Sequence, residues 1–449
     1  MAQRVEVLRL GPAAPTGVLV TCVAIVIGGV FLLLGESLQA WGTSFVVAAV
    51  LGISVPVLAR QARRERDEKI FAFLLFALVV KLLGGVARHF VAFTVYGGIA
   101  DAAEYHRWGV TLSARFWEGN FHTGFESLSG SDFIRFLTGI VYTIIGPNQL
   151  GGFLVFSWLG FWGLFMFYRA FQLCIPEGAT RTYAKLVFFL PSLVFWPSSI
   201  GKEAWMMFSL GIAAYGVATA LQKSSVRGLV IAGLGMWLAA LARPHVAGLL
   251  GVALVIGFVV RRSRIELGHL APVVKGLSVC LVVVVAALLV ARTDRFLRDE
   301  SRIDTSGGVG SVLTEVSERT GQGGSEFAPS ILQSPLRAPV AVPTVLFRPL
   351  VFDAHNVQSL IAAVEGTFLL LLSVLRISWI VGALRSFRRW PYVAFAFAFT
   401  GLFVIAFSSV ANFGLLARER VQLLPLYLVL LCVRTGGDQV VERDETVHS

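Results

Sequence analysis

The stretch Asp101-Ala-Ala-Glu104-Tyr105 brings two carboxylates and a phenol within little more than one helical turn. If it is helical, as Ala102 and Ala103 favour, Asp101 stands three residues before Glu104 and four before Tyr105, on one face. Two carboxylates that close raise each other's pKa, which suits a general base working near neutral pH. The plainer alternative is a solvated interfacial helix with an acidic first turn.

A second group of residues offers cations. Phe189-Leu-Pro-Ser-Leu-Val-Phe-Trp-Pro-Ser-Ser-Ile-Gly-Lys202-Glu203 reads as two apolar half-hairpins meeting at a turn, with Lys202 and Glu203 opening the next helix. The free N–H groups of that helix end, together with Lys202, would cradle a phosphate; the alternative is a snorkelling pair that anchors the turn. Arg243-Pro-His245 lies at a tight turn between apolar runs, and Phe347-Arg348-Pro349 and Arg418-Glu419-Arg420 flank others. The arginine fork binds phosphate through two donors and keeps its charge when partly buried. One arginine at a helix end usually only anchors it, but separate arginine-bearing turns meeting carboxylates point to a site. The expected set is therefore Asp101 and Glu104 for catalysis. Tyr105, Lys202, Glu203, Arg243, His245, Arg348, Arg418 and Arg420 are expected to bind substrate, with Arg243 and Arg418 ahead of Arg348 and Arg420.

The elements that must position these residues are transmembrane helices. Hydrophobic residues make up 56% of the chain and charged residues only 14%, too few for the surface of a soluble domain of this size. The expectation is an all-α polytopic membrane protein of about twelve spans, each near the roughly 20 residues that cross a bilayer. They are placed at 17–35, 42–60, 70–95, 149–171, 184–197, 204–222, 227–242, 245–260, 271–292, 356–382, 391–410 and 420–434. A shorter amphipathic piece, Asp132–Gly146, is expected at the interface. Residues 1–434 form a single transmembrane domain, and 435–449 a disordered cytoplasmic tail. Thr293–His355 has a Gly/Ser-rich centre expected to be mobile and a Pro-rich end expected to pack back onto the membrane.

The net charge of +11 sits in short connectors between apolar runs, which argues against nucleic-acid binding and for the positive-inside bias. Arg60, Arg63, Arg64, Arg66 and Lys69, then Arg169, Arg181 and Lys185, and later Arg385, Arg388 and Arg389 mark one side as cytoplasmic. Both termini fall there, and loops 96–131 and 293–355 fall outside. Cys22, Cys174, Cys280 and Cys432 show no paired spacing and read as small hydrophobes. Lys81, Arg88, Glu365 and Arg376 interrupt apolar helices and are expected to face protein or a polar cavity. His106, His122 and His355 read as satisfied interfacial histidines without a metal-binding spacing.

The order of parts from Asp101 onward, an acidic motif opening an external loop rich in aromatics, then a helix ending in Ile144-Ile-Gly-Pro-Asn148, then a long apolar span, resembles the GT-C membrane glycosyltransferases. It is similar in particular to the polyprenyl-phosphate-sugar-dependent family 39 mannosyltransferases, whose D-x-x-x-Y motif carries the catalytic base; here Asp101 and Tyr105 match it. The 189–203 segment, Phe347-Arg-Pro and Asn412-Phe-Gly…Arg418-Glu-Arg420…Pro425 resemble tracts of large bacterial proteins of envelope polysaccharide synthesis. The chain departs from the family pattern in that its first large external loop follows the third span, and in that no soluble carboxy-terminal domain follows.

The resemblance implies an inverting transferase on the outer face of a bacterial cytoplasmic membrane. A polyprenyl-phosphate-linked sugar would be the donor and a glycan or glycolipid the acceptor. No cofactor is implied; the enzymes it resembles mostly manage without a metal, and a divalent ion stays open. Two alternatives stand beside it: an O-antigen-type polysaccharide polymerase or ligase, and a lipid or solute transporter.

Overall fold

The computed structural model describes residues 37–176, 178–223, 225–261, 308–321, 335–354 and 357–433, with isolated positions elsewhere. The expected spans at 17–35 and 271–292 fall almost entirely outside the described residues, as do both termini, the tail 435–449 and His355. Among the described residues the chain is all-helical, without a strand.

The helices are α1 (Leu38–Glu65), α2 (Glu68–Phe90), α3 (Asp101–Trp117), α4 (Gly130–Ile145), α5 (Gln149–Cys174), α6 (Thr180–Phe189) and α7 (Pro191–Phe195). There follow α8 (Lys202–Lys223), α9 (Val226–Ala242), α10 (Pro244–Val260), α11 (Gly308–Thr320) and α12 (Ala338–Phe347). The last are α13 (Val357–Leu375), α14 (Ile377–Arg385), α15 (Pro391–Phe407), α16 (Phe413–Arg420) and α17 (Leu424–Cys432). Of these, α1, α2, α5 and α8 are long and apolar enough to cross a membrane, and the bent pair α13–α14 makes a fifth. The chain is thus a helical, membrane-embedded protein; α9, α10 and α15 are apolar but shorter.

Several expected spans are not single helices. Segment 184–197 breaks at Leu190, which is extended before Pro191, and ends in a 3₁₀ turn at Trp196–Ser198 around Pro197. Segment 356–382 bends by 63° at Arg376, whose guanidinium donates to the Leu431 carbonyl at 2.9 Å. Segment 420–434 contributes only the nine-residue α17, with Pro425 in its first turn. The glycine-rich centre of 293–355, expected to be mobile, includes Gly308 to Ser311 in the first turn of α11.

The described residues fall into two compact units. The first comprises Met1–Phe125, Ile134–Phe161 and Ser198–Gly201. Within it α1 and α2 are joined through Arg66, in the left-handed region at φ 53°, and Asp67, whose side chain accepts from Lys69 N–H at 3.0 Å. Asn148 then ties α5 to the start of α1: it accepts from Thr43 Oγ1 at 3.0 Å and from Gly151 N–H at 2.8 Å, and donates to the Gln39 carbonyl at 3.0 Å. Trp158 donates to Ser54 at 2.8 Å and Ser157 to the Lys81 carbonyl at 2.6 Å, so α5 is bonded to both α1 and α2. The amphipathic helices α3 and α4 cross where each carries a glycine. A Cβ on Gly109 would lie 2.6 Å from Thr138, and one on Gly139 would lie 2.7 Å from Leu112.

The second unit comprises Glu126–Phe133, Trp162–Pro197 and Lys202–Ser449. Its tightest pairing is α8 with α9. Ala213, Gly216 and Ala220 face Gly235, Ala232 and Gly228, and a Cβ on any of the three glycines would sit 2.2–2.4 Å from backbone nitrogen. In lipid, where apolar area gives helices no reason to associate, such small-residue seams supply the close backbone contact that holds a pair. Gly163 of α5 and Gly211 of α8 make an equally close crossing. The intramembrane charges face protein: Lys81, Arg88 and Glu365 are all buried.

Replacing Gly235 by Val should destabilise the fold by at least about 2 kcal/mol, because the methyl groups meet backbone that cannot yield. Gly233→Ala, where nothing lies within 4 Å, should be neutral. Thermal unfolding of the two detergent-solubilised variants checks this, and equal melting temperatures would refute the seam.

Candidate functional site

The second unit gathers most of the expected binding residues around one buried carboxylate. Glu203 stands in the first turn of α8, only 3% exposed. Its Oε1 accepts from Arg243 Nη2 at 2.8 Å and from Arg418 Nε at 2.7 Å. Arg243 ends α9 in a non-helical conformation immediately before Pro244 opens α10, so the turn itself aims the guanidinium. Its other arm pairs with Glu419, whose second partner is Gln422 Nε2 at 2.7 Å. Helix α16 delivers Arg418, Glu419 and Arg420; its N-cap Asn412 accepts from Leu415 N–H at 3.1 Å.

A second cluster adjoins through Arg420, which is 1% exposed and donates to the carbonyls of Leu346 and Arg348 at 3.0 and 2.9 Å. The Arg348 side chain grips Asp353 with two donors, Nε to Oδ2 at 3.0 Å and Nη2 to Oδ1 at 2.6 Å. Its guanidinium lies 4.7 Å from the Phe413 ring and 5.4 Å from Phe327, two rings stacked 4.1 Å apart. Gly366 of α13 permits this placement, since a Cβ there would lie 2.0 Å from the Phe347 carbonyl oxygen.

Cations outnumber carboxylates across the two clusters: Lys202, Arg243, Arg348, Arg418 and Arg420 against Glu203, Asp353, Glu419 and Glu365, whose charge reaches Arg420. Such a cluster can hold an anion at the ends of apolar helices. Arg243, ranked with Arg418 ahead of the others from sequence, is buried against two carboxylates. The side chains of Arg418 and Arg348 stay 23% and 31% exposed and are better placed to meet a ligand. His245, in the first turn of α10, has its ring 6.2 Å from Phe407.

Asp101, Glu104 and Tyr105 belong to the first unit. The helix expected there is present, beginning at Asp101, and the Asp101 side chain is exposed. Tyr105 is turned inward, 3% exposed. Glu104 is not left to repel Asp101: it is ion-paired with Arg135 of α4, whose guanidinium lies 5.4 Å from Trp108 and 6.0 Å from Phe125. His106 is satisfied, sharing a 2.7 Å hydrogen bond with the Tyr142 hydroxyl. Burial, and then the charges of His89 and Arg107, hold the His106 pKa below the usual histidine value.

Sequence reasoning missed the partners more than the cations. Glu419 lay between two singled-out arginines, Asp353 lies five residues past Arg348, and Arg135 sits on the recognised amphipathic helix. Phe327, Gln422 and Tyr142 carried no local signal. Among the described residues no group of three or more His, Cys, Asp and Glu comes together as a metal site would require. Comparison with protein-family models, with curated proteins and with solved structures finds no match to this chain.

Removing Arg243 leaves buried Glu203 with Arg418 alone and buried Glu419 with only the neutral Gln422, so Arg243→Met should cost about 3–5 kcal/mol. Arg418→Gln, at a part-exposed position, should cost far less, and thermal unfolding separates the two. A histidine held neutral by the fold also makes stability depend on pH. The unfolded chain takes up the proton first, so His106 lowers stability as pH falls through about 6.5. His106→Gln should flatten that part of the melting profile between pH 7 and 5; an unchanged profile would refute it.

Proposed function

We propose that this protein is a membrane-embedded glycosyltransferase that moves a sugar from a polyprenyl-phosphate donor to a cell-envelope glycan or glycolipid. The observation that carries the reading is the convergence of Arg243, Arg348, Arg418 and Arg420 with Glu203 and Glu419 at the ends of apolar helices. A cationic cluster beside lipid suits a lipid-linked phosphate, whose charge grows as the sugar departs. Fixed cations in a low-dielectric site stabilise that change without reorganising.

In this reading Arg418 and Arg348 contact the lipid phosphate and Arg243 holds Glu203 and Glu419 in place. Asp101, exposed at the first turn of α3, removes the proton from the attacking hydroxyl. Glu104 holds Arg135 against Trp108 and Phe125 and so fixes the wall beside Asp101. The basic connectors face the cytoplasm and the reaction faces outward at a bacterial inner membrane.

One observation favours a second reading, an O-antigen-type polymerase or ligase: the converging residues are mainly arginines, and such an enzyme needs no carboxylate base. Purified protein with a polyprenyl-phosphate sugar and an acceptor, assayed for released lipid phosphate, separates the two. For the transferase, Asp101→Asn should lower turnover by at least about 10²-fold with the fold intact, and Arg418→Gln should lower it too. Near-normal turnover in Asp101→Asn with loss in Arg418→Gln would replace the transferase by the polymerase. Turnover unaffected in both would end both readings.

A further inference from the structure

A cavity of about 620 Å³ opens in the second unit between α6–α7 and α13. Phe189, Leu360, Ile361, Val364 and Phe368 line it, with Lys185 and Glu365 its charged members. Four of these, Leu360, Ile361, Val364 and Phe368, recur at helical spacing on α13 and are 45–58% exposed. They form an apolar wall about 12 Å long that the described residues leave about half exposed, on a helix of membrane-spanning composition.

The two charged groups differ in kind. Glu365 is 5% exposed, and its two oxygens accept from the Ser192 N–H at 2.6 Å and the Ser192 hydroxyl at 2.5 Å. The carboxylate therefore caps α7 from the floor of the groove, and the surface left over is hydrocarbon. Lys185 is exposed, one turn into α6. The ends of the groove can be told apart. The Cys432 carbonyl accepts from Ala179 N–H at 2.9 Å, and the neighbouring Leu431 carbonyl accepts from Arg376, so the start of α6 and Arg376 share one end. Arg181, Lys185 and Arg376 together make that end basic.

We infer that this groove binds one chain of an anionic membrane phospholipid, with the lipid phosphate drawn to Lys185 and the acyl chain lying along Leu360, Ile361, Val364 and Phe368. Any apolar concavity facing lipid fills with hydrocarbon. What makes this one selective is an exposed cation, Lys185, on a groove whose one carboxylate, Glu365, is turned to Ser192 and whose remaining lining is apolar. The groove residues that would meet the lipid are not the ones assigned to the donor phosphate, and the inference does not rest on the transferase reading.

The test uses the full chain in mixed vesicles holding phosphatidylglycerol with a photoreactive diazirine in its acyl chain, or the matching phosphatidylcholine. After irradiation, peptides covering residues 185–191 and 357–375 are read by mass spectrometry. Phosphatidylglycerol should label them about fivefold more than phosphatidylcholine. Lys185→Gln should make the two lipids equal, and Val364→Trp should remove labelling from both peptides while labelling elsewhere stays unchanged. Equal labelling by both lipids in the native chain, or a preference that survives Lys185→Gln, overturns the inference. So does labelling of the two peptides that survives Val364→Trp.

Discussion

Burying charge among apolar helices is the constraint on which the second unit turns. An isolated ion moved from water into such surroundings costs several kcal/mol after relaxation, and no single lipid-facing position can offset that. Glu203 is therefore answered from two other helix ends, by Arg243 and Arg418, and Arg243 is answered again by Glu419. Each partner arrives on a different element: the start of α8, the junction of α9 and α10, and α16. The network is thus both a chemical feature and a clamp. Helices that lipid would otherwise let slide are registered against one another by groups that cannot be left unpaired.

Close backbone contact does the complementary work. The Gly/Ala seam brings the backbones of α8 and α9 into close contact, and the start of α8 and the end of α9 carry Glu203 and Arg243. Gly366 does the same for the Phe347–Arg348 corner, letting α13 press on the carbonyl that precedes Arg348. Arg420 then fixes the same corner from the other side through two carbonyls. In each case a residue without a side chain permits the approach, and a cation uses it.

The first unit follows the same logic with softer means. Polar side chains lock α5 to α1 and α2 through Asn148, Ser157 and Trp158, and the crossing of α3 and α4 relies on Gly109 and Gly139. Asp101 begins α3 exposed, while Glu104 is already spent on Arg135. The two carboxylates lie one helical turn apart but differ in setting: Asp101 is exposed, and Glu104 meets a guanidinium that lies beside the Trp108 and Phe125 rings.

Composition and hydropathy were enough to establish a helical membrane protein, since each apolar run must satisfy its own backbone within the segment. The helical reading of Asp101–Tyr105 and the amphipathic helix near Asp132–Gly146 were equally legible, because both are local patterns. The cations of the site could be named as well, because a charge between apolar runs is conspicuous wherever it lies. The break at Leu190 carries a local sign, Pro191, but the bend at Arg376 does not: it falls where the Arg376 guanidinium reaches the Leu431 carbonyl, 55 positions away. The same holds for which charges pair. Arg243 was read as a phosphate-binding cation from its place at a turn; its pairing with Glu203 and Glu419 was decided by the meeting of α8, the α9–α10 junction and α16. Tertiary structure made that choice because in a low-dielectric setting the nearest opposite charge, not the nearest residue in the chain, settles what an arginine does.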